Sequence, residues 1–151
     1  MKRLETGSRH RRPINVLLIE DDPDYCRLVE RWLTTSPEAQ FGVRSAARLD
    51  DAWSRIPISD VIVLDLGLPD ASGLETLLAT RELAGGHAPI VVLTGSEDAD
   101  IGPRALRAGA DGFVSKRRAD PAILHAVLRR AITARESARA QDRLRRATCP
   151  T

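Results

Sequence analysis

Residues 16–24 read VLLIEDDPD: four apolar residues suited to a buried strand run directly into Glu20, Asp21 and Asp22. Three like charges sit where burial is ending, and their repulsion needs a reason. Two other runs match the first. INVLLI (14–19), VIVL (61–64) and IVVL (90–93) are almost wholly β-branched or leucine, which suits strands covered on both faces. FGVRSA (41–46) alternates and GFVS (112–115) is brief, as edge strands should be. Between the runs lie helical stripes: Tyr25, Leu28, Val29, Trp32 and Leu33; then Leu49, Ala52, Trp53 and Ile56; then Leu74, Leu77 and Leu78. Ile101, Ala105 and Ala108 mark a fourth, and Leu124, Val127, Leu128 and Ala131 a fifth. Five strand–helix alternations predict an α/β fold, a doubly wound five-stranded parallel sheet of order 2-1-3-4-5 with right-handed crossovers.

Composition agrees with one such domain. The chain has 151 residues, 42% of them hydrophobic, enough for a single core. It holds no apolar run near the roughly 20 residues of a membrane span, and MKRLETGSRHRRP (1–13) lacks the apolar centre of a signal peptide. A cytoplasmic protein with no membrane partner is expected. Cys26 and Cys149 form no metal spacing and are expected to be ordinary thiols. The net charge of +2 conceals an acidic body with basic ends: residues 1–13 carry five Lys or Arg against one acid, and residues 119–151 seven against three. Solvated ends account for this more simply than nucleic-acid binding, which is not expected. Lys2 and Lys116 are the only lysines among 23 basic residues, so Lys116 stands out.

In a doubly wound sheet, ligands bind beyond the carboxyl ends of the strands. Strand 1 ends in Glu20 and Asp21, strand 3 in Asp65, strand 4 in Thr94, and strand 5 near Lys116. Asp22 has a local role as a helix N-cap, with Pro23 at the first helical position. Glu20 and Asp21 are not covered by capping, and Asp65 on the neighbouring strand joins them. Clustered carboxylates without a cation drive one pKa up, whereas a hard divalent cation such as Mg²⁺ relieves the repulsion. Thr94 and Lys116, expected on the far side of Asp65 from the acids, offer donors for phosphoryl oxygens. A carboxylate nucleophile, a metal and a lysine suffice for phosphoryl transfer to the protein.

The chain resembles a receiver domain of the bacterial response-regulator family over roughly residues 14–133, through VLLIEDD, VIVLDLGLPDASGLE, PIVVLTG and AGADGFVSK, in that order. The resemblance implies the flavodoxin-like receiver fold, with Asp65 accepting phosphate from a sensor histidine kinase or phosphotransfer protein. It implies Mg²⁺ held by Asp21, Asp65 and the Gly67 carbonyl, with Glu20 helping through water. Thr94 and Lys116 would hold the phosphoryl group, and Gly95 would leave room for it. Thr94 and Phe113 would act as the switch, remodelling the face of helix 4, strand 5 and helix 5 toward an output domain or partner protein. Such a protein is a signalling phosphoacceptor, not an enzyme, though it assists its own phosphorylation and dephosphorylation.

Two departures from the family pattern stand out. Arg117 replaces the proline that usually follows the lysine, so the Lys116–Arg117 bond is expected trans, with Lys116 still reaching Asp65. Gly67 and Ser96 stand where the family often carries larger polar side chains. His10, His87 and His125 lack ligand spacing and are expected on the surface, and GGHAP (85–89) is a loop. Residues 1–13 are expected to form a disordered basic arm. Residues 134–151 extend helix 5 as a linker into a further domain or as a tail that pairs with a partner helix, which leaves a dimer open. The competing readings are a degenerate receiver acting only as a protein-interaction module and a haloacid-dehalogenase-type phosphatase. The phosphatase needs an acid two residues after its nucleophile, where this chain has Gly67. A flavin-binding flavodoxin would want a hydroxyl-rich loop after strand 1, where this chain has acids.

Overall fold

The strand sequences are apolar on both faces because both faces are covered. A computed structural model describes residues 12–37, 39–71 and 73–148. In chain order the elements are β1 (Ile14–Ile19), α1 (Pro23–Thr34), β2 (Phe41–Ala46), α2 (Leu49–Ala52), a 3₁₀ turn (Ile56–Ile58) and β3 (Val61–Leu64). Then follow α3 (Leu74–Ala84), β4 (Ile90–Thr94), α4 (Ile101–Arg107), β5 (Gly112–Ser115) and α5 (Pro121–Thr148). The sheet order is β2-β1-β3-β4-β5, every pair is parallel, and β2 and β5 are the edges.

Alternate residues of each central strand feed two separate cores. Leu17, Ile19, Ile62, Leu64, Ile90 and Val92 pack with Leu49, Leu77 and Ala105 of α2, α3 and α4. Val16, Leu18, Val61, Val63, Val91 and Leu93 pack with Val29 and Leu33 of α1 and with Leu124 and Leu128 of α5. The period-two alternation of a strand is thus used in full. Register then positions the strand ends: Ile19 pairs with Leu64, and Thr94 with Ser115. The residues that follow these pairs emerge together at one edge of the core.

Several helical expectations are corrected. The second stripe is a helix only over Leu49–Ala52; Trp53 is 60% exposed, and Ile56 is buried from the separate 3₁₀ turn. Pro57 supplies no amide hydrogen, so the α-helical ladder cannot run through it. Leu78 points outward, and Leu28 lies at the margin of α1. His125 is buried, not on the surface: its ring meets Phe41 edge-on at 5.2 Å, and its Nε2 lies 3.1 Å from the Ser36 hydroxyl. His87 is exposed as expected. His10, Cys149 and all of the basic arm but Arg12 and Pro13 lie outside the described residues.

The last helix stays in contact with the domain longer than its apolar pattern indicates. Arg135 spans both carboxylate oxygens of Asp111 at 3.1 and 3.2 Å, and Arg139 donates to the carbonyl of His87. From Glu136 to Thr148 every residue is exposed, and all are polar, charged or small except Leu144, itself 65% exposed. Truncation after Ala140 should therefore leave stability unchanged within about 0.5 kcal/mol, because it removes only solvated helix. Truncation after Ile132 should lower it by roughly 1 kcal/mol, since the Arg135 pair is lost. Urea melts of the two shortened chains measure the difference, and equal midpoints would show that Arg135 and Arg139 contribute nothing.

Candidate functional site

The first turn of α1 is set by its cap. Asp22 accepts from the amides of Asp24 at 3.0 Å and Tyr25 at 3.4 Å, with Pro23 opening the helix. This confirms the capping role and separates Asp22 from its neighbours. Glu20 continues β1 into the interior and is 2% exposed, whereas Asp21 faces solvent. Asp65 follows β3 directly, its amide donating to the Ile19 carbonyl at 2.9 Å, and it is 7% exposed. One carboxylate oxygen from each of Glu20, Asp21 and Asp65 lies within 4.8 Å of the others. The three acids that the sequence placed at adjoining strand ends do meet.

The opposite wall comes from the next two strands. Thr94 is buried at the end of β4, and its hydroxyl accepts from the Ser96 amide at 3.3 Å. The Lys116 amide donates to the Thr94 carbonyl at 3.0 Å, so the lysine leaves β5 beside it. Asp65, Gly67, Gly73, Thr94, Gly95 and Lys116 line a cleft of about 450 Å³. Gly73 closes the β3–α3 turn at φ 64° and ψ −152°, a conformation that side chains other than glycine's rarely adopt. A Cβ on Gly95 would lie 3.6 Å from the Lys116 side chain, at ordinary van der Waals contact.

Lys116 reaches farther than expected. Its ammonium lies 3.4 Å from Asp65 Oδ2 but 2.7 Å from Glu20 Oε2, so it has crossed to the acidic side and not stayed beyond Asp65. The long stem makes this crossing possible. All described peptide bonds are trans, the Lys116–Arg117 bond among them, as expected from the absence of proline. Arg117 turns outward and pairs with Glu97, tying the β5–α5 loop to the β4–α4 loop beside the cleft. Phe113 does not join the site. It lies against Gly102 of α4, where an added Cβ would fall 2.7 Å from the ring.

Burial pushes the Glu20 carboxyl up to about 7; Asp65 adds to the rise, while Lys116 and the Asp22 amide oppose it. For Lys116 burial alone would lower the pKa, but the Glu20 and Asp65 carboxylates outweigh it and the net shift is upward. Glu20 Oε2 is fully buried, and the Lys116 ammonium at 2.7 Å is its ion-pair partner. Three carboxylates grouped in this way are a donor set that suits a hard cation such as Mg²⁺. Cys26 has no comparable opportunity: burial first, and then the nearby acids, push its thiol up to about 11.

Three features carried no sequence signal. Tyr25 places its ring 4.4 Å from the Lys116 ammonium. Asp70 accepts from the Leu49 and Asp50 amides at 3.1 and 3.2 Å, fastening the β3–α3 loop to the start of α2. A second cavity, of about 540 Å³, lies at the other end of the sheet among Arg12, Asp60, His87, Arg135 and Arg139. Its arginines are already engaged by Asp60, Asp111 and His87.

Known proteins carry the same pattern. The sequence model of the response regulator receiver domain matches residues 16–128. The transcriptional regulatory protein KdpE of Mycobacterium tuberculosis is 37% identical over 101 residues, covering 67% of this chain and 43% of that protein. The cell cycle transcriptional regulator CtrA of Caulobacter vibrioides is 34% identical over 122 residues, covering 78% and 51%. The chain thus spans about half the length of the curated relatives it matches. Among solved structures, a Burkholderia pseudomallei response regulator with a phosphorylated aspartic acid and a calcium ion aligns with a TM-score of 0.65 at 27% identity, over 87% of this chain and 74% of that one. A CheY-like receiver domain of Methanospirillum hungatei shares the fold with a TM-score of 0.71 at 22% identity, over 84% and 99%.

The Glu20 shift predicts how the metal-free protein responds to pH. A carboxyl raised from 4.5 to about 7 holds its proton more tightly folded than unfolded. Its contribution to stability is therefore full below the unfolded value and is lost as pH rises through the folded one. Thermal melts in chelator should show stability falling between about pH 5 and pH 7.5, and Glu20→Gln should flatten that fall. Parallel profiles for the two proteins would refute the shift.

Proposed function

The chain belongs to the response regulator receiver domain family, and from this premise we propose that Asp65 is its phosphoacceptor. The observation that carries the reading is the Asp65 carboxylate, grouped with those of Glu20 and Asp21 and lying 3.4 Å from the Lys116 ammonium, at the mouth of a cleft lined by Thr94 and Gly95. Receivers are signalling domains of two-component systems. The proposed donor is a sensor histidine kinase or a phosphotransfer protein, with the work done in the cytoplasm. Among the described residues no helix is long and apolar enough to cross a membrane.

In the proposed transfer a carboxylate oxygen of Asp65 bonds to phosphorus as the bond from phosphorus to the donor's histidine nitrogen breaks, and the nitrogen keeps the electron pair. Glu20, Asp21, Asp65 and the Gly67 carbonyl are the proposed holders of Mg²⁺, Asp21 binding directly and Glu20 through water. Bound there, the ion would spread the charge of the transferring group. Lys116 neutralises another part of that charge, and the Thr94 hydroxyl donates to a phosphoryl oxygen once it turns into the cleft. The Gly67 amide already donates to Asp65 Oδ1 at 3.2 Å, which fixes the carboxylate plane. Catalysis here is positioning and electrostatics, so the protein acts as a phosphoacceptor that assists its own modification and not as an enzyme acting on others.

The proposed output runs through Thr94 and Phe113. Thr94 leaves its bond with Ser96, and Phe113 shifts from its seat on Gly102, changing the face of α4, β5 and α5 for an output domain or partner protein. A receiver without phosphotransfer is the less supported reading, because each position that the chemistry needs is filled here. Acetyl phosphate with Mg²⁺ should add one phosphoryl group to the purified chain, detected as an intact-mass increase, and Asp65→Asn should abolish it. Undiminished labelling of that variant would move the acceptor elsewhere. Mg²⁺ titration should show a larger loss of affinity for Asp21→Ala than for Glu20→Ala, and the reverse order would exchange their roles.

A further inference from the structure

We propose that Tyr25 is the positioning residue for Lys116: its ring face holds the ammonium so that a loop lacking proline still delivers that charge to Asp65. The inference rests on the phosphoacceptor reading and deepens it. Lys116 has an unbranched four-carbon stem and a compact charge, which can swing to solvent or settle entirely on Glu20 unless something restrains it. Its backbone receives no help from a proline, since Arg117 follows through a trans bond. The restraint that the structure supplies is the Tyr25 ring, 4.4 Å from the ammonium and well within the range of cation–π attraction.

The ring is itself held from both sides. Tyr25 lies in the first turn of α1, with its amide bonded to the Asp22 cap, and its ring packs edge-on against Trp32 at 6.3 Å and 80°. Tyr25 and Trp32 are seven residues apart, two helical turns on one face. The Tyr25 hydroxyl is buried and has no hydrogen-bond partner among the described residues, so the ring face is the part of this side chain with a polar task. Nothing in the structure explains the hydroxyl.

A neutral ring also differs in kind from the other two contacts of Lys116. Glu20 and Asp65 are the carboxylates proposed to hold the metal and to accept phosphate, so their attraction for the ammonium weakens as their charge is engaged. The ring quadrupole has no lone pair to share with a metal and no charge to lose to phosphorylation. It therefore keeps Lys116 in place while the electrostatics around it change.

The test uses the full chain with Tyr25→Phe, Tyr25→Leu and phenylalanines carrying increasing ring fluorination at position 25. Phosphorylation rates with acetyl phosphate at saturating Mg²⁺ should stay within about twofold for Tyr25→Phe and fall by about three- to thirtyfold for Tyr25→Leu. Progressive fluorination, which drains the ring face at nearly constant shape, should slow the reaction stepwise while melting temperatures stay level. The Lys116 side-chain protons should show an upfield ring-current shift in the wild-type and phenylalanine proteins that Tyr25→Leu removes. A flat fluorination series, a wild-type rate in Tyr25→Leu, or no ring-current shift would overturn the role of Tyr25 while leaving Asp65 as acceptor. A wild-type chain that takes no phosphate would overturn the acceptor reading and the positioning role together, and the fluorinated series decides the matter if Tyr25→Leu fails to fold.

Discussion

The site depends on one register. Ile19 on β1 lies level with Leu64 on β3, so Glu20 and Asp65 leave the core side by side. Burying two carboxylates together costs several kcal/mol unless something offsets their charge. The fold meets that cost locally with the Lys116 ammonium at 2.7 Å from one acid and 3.4 Å from the other. A shift of one residue in either strand would turn one acid to the opposite face of the sheet and leave the other unpaired. The two apolar cores that lock the register, one on each face, therefore serve the chemistry as directly as the charged residues do.

The loop after β5 is held without a proline after its lysine. Proline after the lysine would restrain the backbone; Arg117 cannot, and the bond is trans. Restraint comes instead from side chains on both sides of the loop. Arg117 pairs outward with Glu97, while Lys116 is held inward by two carboxylates and an aromatic ring. The outer pair is exposed at both ends, and such pairs are worth about 0–1 kcal/mol. The inner contacts are shielded, with the Lys116 side chain only 19% exposed, so they carry most of the positioning.

The order of strands and the grouping of acids were legible because both are written in local pattern: apolar runs with charges at their carboxyl ends. What was not legible depended on contacts between distant segments. His125 sits in a helical stripe whose neighbours are apolar, yet only the meeting of α5 with Ser36 and Phe41 shows why a polar ring is tolerated there. Trp53 extends an apolar stripe in sequence, but the helix ends at Ala52 and leaves that side chain 60% exposed. The reach of Lys116 to Glu20 was missed because strand order gives the position of a Cα and not the end of a flexible stem. Tyr25 read simply as one more residue of an amphipathic face.

The same geometry bears on how a change at the site could travel. α5 begins at Pro121, five residues after Lys116, and Asp120 caps it by accepting from the Ile123 amide at 2.7 Å. Its 28 residues form one unbroken helix of about 42 Å. Leu124, His125, Leu128 and Ala131 fix its first three turns to the domain, Ile132 packs at the margin of that core, and beyond it Arg135 and Arg139 hold the helix by polar contacts. A tilt imposed at the Lys116 loop meets apolar packing near the start of the helix and progressively weaker restraint beyond it. A displacement at that loop would therefore be least restrained at the exposed, arginine-rich end of the helix.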